Sequence, residues 1–130
     1  MNRFLKLTAI IEAATGLGLV AVPAIVVRLL LGAEISGASI PLGRITGVAL
    51  LALGVACWFA SVDTKSRAAR GLVAGMLLYN VGVAFILTMA GVQSHLVGIA
   101  LWPAVILHAA MAVWCVACLR RKPVRTGNPD

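Results

Sequence analysis

The chain has 130 residues, of which 62% are hydrophobic and 12% charged, against about 45–50% and about 25% in a soluble domain. That balance excludes an ordinary water-soluble domain, and the high hydrophobicity excludes a disordered chain. Lys and Arg number 11 against 4 Asp and Glu. These cations sit at the ends of apolar runs, where they orient a membrane protein, and form no aromatic-interleaved patch of the kind that binds nucleic acid.

Four apolar stretches of roughly 20 residues each are long enough to cross a bilayer. The first runs from about Arg3 to Val22. Pro23 then opens a short helix to Leu31, because proline lacks an N–H that the first helical position does not need. Gly32 stops that helix. It is too short to cross and holds Arg28, so the expectation is a helix lying flat at the outer interface. Residues 32–39 form a polar loop. The second span starts near Pro41 and runs to about Val62. Residues 61–70, with Asp63, Lys65, Arg67 and Arg70, read as a polar loop. The third span covers about Gly71 to Ala90, an uncharged loop with His95 follows, and the fourth span covers about Ile99 to Leu119. Residues 120–130 make a basic tail ending in Pro and Gly.

One side of this layout carries Arg3, Lys6, Lys65, Arg67, Arg70, Arg120, Arg121, Lys122 and Arg125, and the other only Arg28 and Arg44. By the positive-inside rule both termini face the cytoplasm of a bacterial inner membrane. Glu12 interrupts the first apolar run and argues against a cleaved signal peptide, so span one is expected to be retained. The expected architecture is all-α: a four-helix transmembrane bundle with a short outer interfacial helix.

Span two holds Gly43, Gly47 and Gly54, and span three holds Gly71, Gly75 and Gly82. In lipid, helices associate through close backbone approach. The two stripes predict a tight contact, either between spans two and three or with a second copy. A homo-oligomer or a larger membrane complex is the partner expected beyond the lipid.

Polar groups at membrane depth are costly and informative. At a rise of about 1.5 Å per residue from the inner end, Glu12 and Asn80 lie about 14 Å up and His108 about 16 Å up. Tyr79 and Thr15 fall near the same level. Thr8, Glu12, Thr15 and Gly16 share one face of span one, which should look into the bundle. Two readings stay open. The cluster is either interhelical glue or a protonatable site, in which a carboxyl beside an imidazole exchanges protons with a passing substrate. Arg44, about 27 Å up, is a candidate charge partner for Glu12.

Cys115 and Cys118 form a CxxC, with Cys57 near the depth of Cys115. They lie at the reducing end of the bundle and no second CxxC completes a zinc site, so they read as small apolar residues. His95 and His108 differ in depth and do not suggest haem. Triad, phosphate-loop and dinucleotide patterns are absent. Neither an enzyme nor a cofactor is expected.

Gly43-Arg44-Ile45-Thr46-Gly47 followed by Leu50-Leu51-Ala52-Leu53-Gly54 resembles the second span of small four-span bacterial membrane proteins, the DoxX-like and related groups. Glu12-Ala13-Ala14-Thr15-Gly16, then Pro23 and Leu29-Leu30-Leu31-Gly32, looks like the opening of such proteins. The resemblance implies a four-helix inner-membrane fold and little about activity. The small multidrug resistance family is similar in length, span number and a glutamate in span one. In that family the glutamate binds protons and cationic drugs in turn, which would carry over to Glu12 alone. Met76-Leu77-Leu78-Tyr79-Asn80-Val81-Gly82 departs from that family's Trp-Ser-Gly pattern, and the family serves as an analogy of mechanism. The expected function is thus a non-enzymatic packing or accessory component, with a small proton-coupled transporter of a lipophilic or cationic substrate as the alternative.

Overall fold

A computed structural model describes residues 1–120. The basic tail expected over residues 120–130 therefore lies, from residue 121 on, outside the described residues. The described chain is all-helical: α1 (Asn2–Ala21), α2 (Pro23–Leu31), α3 (Ser39–Ala60), α4 (Arg67–Gln93) and α5 (Leu101–Arg120). Helices α1, α3, α4 and α5 are long and apolar enough to cross a membrane. Their outward surfaces confirm which solvent suits them. Ile45, Phe59, Leu78, Phe85 and Val113 are each more than 60% exposed, a distribution that would aggregate in water and that hydrocarbon accepts. The chain is a multi-pass membrane protein.

Two helix ends show how local sequence sets the bounds. Pro23 stands at the start of α2, and Gly32 ends it in the left-handed region at φ 68°, donating its N–H to the Arg28 carbonyl at 2.8 Å. An L side chain at Gly32 would also meet the Val97 carbonyl oxygen at 2.8 Å. Helix α4 begins at Arg67, four residues before the expected start. The Ser66 hydroxyl accepts the Ala69 N–H at 3.1 Å, and this N-cap turns the last four residues of the expected polar loop into helix.

The glycine stripes do not pair with each other. Span two packs on span one instead. A Cβ at Gly16 would lie 2.7 Å from the Gly47 carbonyl oxygen, one at Gly47 2.7 Å from that of Gly16, and one at Gly54 3.0 Å from that of Ala9. A Cβ at Gly43 would lie 3.0 Å from the Pro23 Cβ. The partner that no repeat marked was Gly16, which with Gly18 forms no four-residue stripe. On α4, Cβ atoms at Gly71, Gly75 and Gly82 would meet nothing within 4 Å.

The bundle is built of two pairs, α1 with α3 and α4 with α5. The backbones approach closely within each pair, whereas the pairs meet chiefly through side chains. At the terminal end, where α1 begins and α5 ends, Phe4, Leu5, Ala9, Cys57, Val73, Met76, Met111, Cys115 and Cys118 form one buried core. Phe4 and Trp114 meet edge to face at 5.5 Å. Arg70 ties α4 to the end of α5 through the Leu119 carbonyl at 3.0 Å. At the opposite end the pairs separate, and α2 crosses from Pro23, beside α3, to Leu29, whose carbonyl accepts the Ala100 N–H at 2.9 Å. Gly98 leaves room for that crossing, since a Cβ there would overlap the Leu29 carbonyl.

The two stripes give a direct contrast. Gly47→Ala places a methyl against backbone and should cost roughly 1–3 kcal/mol, the usual range for overpacking. Gly75→Ala enters open space and should be neutral or stabilising by up to about 1 kcal/mol, because glycine is a poor helix residue. Thermal unfolding in detergent micelles measures both.

Candidate functional site

On α1, Thr8, Glu12 and Gly16 recur at four-residue spacing and are buried, with Glu12 only 4% exposed. Gly16 is pressed on Gly47, and that contact turns this face of α1 into the bundle one turn above Glu12. From the other pair, α4 brings Tyr79 and Asn80, and α5 brings His108.

The Tyr79 hydroxyl donates to Glu12 Oε2 at 3.4 Å. That is long for an O–H···O bond, which clusters near 2.7–2.8 Å. Asn80 Nδ2 donates to the Met76 carbonyl at 2.7 Å, and its Oδ1 lies 2.9 Å from His108 Nδ1. The Tyr79 and His108 rings stand edge to face at 5.7 Å. Thus Asn80 holds His108 firmly, while Glu12 is held loosely. Thr8, one turn below Glu12, is fully buried with its hydroxyl unpartnered among the described residues.

Glu12, Thr15, Tyr79 and His108 form the polar end of a cavity of about 440 Å³. Its walls are aliphatic: Ile11 and Leu19 on α1, Leu50 on α3, Val83 and Leu87 on α4, and Leu107 on α5. Val26, Val27, Leu29 and Leu30 of α2 roof it. Every helix contributes, so the cavity is the wedge between the separating pairs. Its size lies in the range of small-molecule sites, as does its make-up of apolar walls with a few convergent polar groups. Thr15 is exposed on α1 but lines the cavity, as does Thr46 of α3, whose hydroxyl is spent on the Leu42 carbonyl at 3.0 Å.

Two other candidates stand elsewhere. Arg44 is exposed and makes no ion pair with Glu12, which corrects the expected partnership. At α3's far end it reaches out of the bundle, where a long cationic side chain keeps its head solvated. Cys57, Cys115 and Cys118 are buried free thiols within the core of the terminal end. Among the described residues no group of three His, Cys, Asp or Glu side chains could hold a metal ion. Sequence reasoning found the polar residues by depth but not the cavity, and it did not give α2 the role of roof. The only available signal for the roof was the Pro23 and Gly32 punctuation, which marks a helix and not what lies beneath it.

The unequal anchoring predicts unequal costs. Asn80→Leu removes the partner of the half-buried His108 Nδ1 and should destabilise by roughly 1–3 kcal/mol. Tyr79→Phe removes one long hydrogen bond and should cost about 1 kcal/mol or less. Denaturant unfolding of the two variants in micelles tests the order.

No protein-family model matches the chain, and neither a curated protein nor a solved structure matches it.

Proposed function

We propose that the chain is a small proton-linked carrier of a lipophilic cation, with Glu12 as the group that binds proton and substrate in turn. One observation carries this reading: an aliphatic, partly open cavity of about 440 Å³ between the helix pairs ends on a carboxyl group. A carboxyl used only as glue has no need of an adjoining space. The lining holds no Lys or Arg, so its one formal charge favours cationic ligands. The pairing of the helices also suits transport. Two pairs that meet through side chains, sealed at one end and parted at the other, can rock about the site, as alternating access requires. The wider setting we propose is the bacterial inner membrane, with both termini cytoplasmic, on the charge bias of the loops. The proposed kinship with DoxX-like proteins rests on the short segments around Glu12 and Gly43–Gly54.

A second reading, a non-enzymatic component that packs with itself or within a larger complex, is favoured by the open glycine flank of α4 at Gly71, Gly75 and Gly82. Glu12→Gln separates the two. The amide keeps an acceptor for Tyr79 but not the charge. The carrier reading expects saturable binding of decylamine to the full chain in nanodiscs. It expects Glu12→Gln to weaken that binding about tenfold or more, the worth of one charge-assisted contact, with the melting temperature little changed. The packing reading expects no saturable binding in either protein, and a lower melting temperature or loss of assembly in the variant.

A further inference from the structure

The floor of the cavity presents two open hydrogen-bond acceptors, with the Thr15 hydroxyl as its one free donor. Glu12 Oε2 receives the Tyr79 hydroxyl, and Oε1 has no hydrogen-bond partner among the described residues. At His108 the tautomer follows from Asn80. Its amide nitrogen is committed to the Met76 carbonyl at 2.7 Å; turning the amide over would set two acceptor oxygens against each other. Oδ1 therefore faces His108 and can only accept, so Nδ1 carries the proton. In the neutral ring Nε2 is then an acceptor. His108 lines the cavity and Asn80 does not. With Nδ1 taken by Asn80, Nε2 is the ring nitrogen left for a ligand. Nε2 has no hydrogen bond among the described residues, and Glu12 and His108 form no ion pair with each other.

Neither acceptor is a fully sealed atom, since among the described residues Thr8 Oγ1 is the buried side-chain polar atom without a partner, so both stay accessible to a ligand. The walls are aliphatic apart from Thr15 and Thr46; the Thr46 hydroxyl is already used, which leaves the Thr15 hydroxyl as their one free donor. With two acceptors against one donor, a ligand that completes the site brings N–H donors of its own and carries positive charge. A quaternary ammonium has charge without N–H, a hydroxyl has one donor without charge, and a carboxylate has the wrong sign. We propose that the cavity takes a lipophilic primary or secondary amine, whose N–H groups are shared between the Glu12 carboxylate and His108 Nε2, and that His108, set by Asn80, selects such heads over quaternary ones. This assignment rests on the carrier reading and narrows its substrate class.

The test compares two probes with one tail. Decylamine and decyltrimethylammonium are titrated into nanodiscs holding the full chain, each corrected for partition into empty nanodiscs. The wild type should prefer the primary amine about tenfold, the value of a hydrogen bond to a charged group. In His108→Phe the preference should fall to about twofold or less, while both probes still bind through Glu12. His108→Gln, which offers an acceptor again, should restore most of it. Equal affinity of the two probes for the wild type, with binding still lost in Glu12→Gln, overturns head-group selection and leaves the carrier reading standing. Absence of saturable binding by either probe overturns both.

Discussion

The contact of Gly16 with Gly47 organises the molecule. Each glycine stands where a methyl would lie 2.7 Å from the other's carbonyl oxygen. In a bilayer no hydrophobic force drives helices together, so dispersion across such a close approach must hold α1 to α3. That contact also fixes the rotation of α1. With Gly16 on α3, Glu12 and Thr8 must sit on the buried side of the helix, one and two turns below. A charged side chain is thereby committed to the interior, and the rest of the bundle has to accommodate it.

The accommodation comes from the other pair. Helices α4 and α5 pack on each other, and the Asn80–His108 bond at 2.9 Å locks them at the depth of Glu12. Between the pairs, the core around Phe4, Met76 and Cys115 closes the terminal end. The opposite end is held by α2 alone, anchored at Pro23 and at the bond from Ala100 to Leu29. A wedge sealed at its narrow end, roofed at its wide end and floored by a loosely held carboxyl is a binding cavity in form. The side chains that seal it are apolar and those that floor it are polar.

Much of this was legible in the sequence, for identifiable reasons. Helix count and membrane character followed from hydropathy and length, which lipid enforces strictly because every backbone polar group must be satisfied internally. Helix α2 was readable from Pro23 and Gly32, residues whose backbone preferences are local. The common depth of Glu12, Tyr79, Asn80 and His108 followed from the fixed helical rise. Which helices touch was not readable. Gly43, Gly47 and Gly54 announce a close approach, but only tertiary structure shows that Gly16 answers it and that the similar stripe on α4 stays open. Arg44 illustrates the same limit. Charge suggested a partnership with Glu12, while geometry turns it outward and gives Glu12 a tyrosine. Cavities are differences between large packed volumes, and no local pattern encodes them.

The central claim is that Glu12 is a reachable, proton-exchanging group at the floor of a binding cavity. Infrared difference spectroscopy of the full chain in lipid, with the carboxyl band assigned by its loss in Glu12→Gln, tests it most directly. The account predicts a Glu12 band that titrates with pH and responds to saturating decylamine. A Glu12 band that moves with neither pH nor ligand would contradict it, and would leave the carboxyl as a closed structural group.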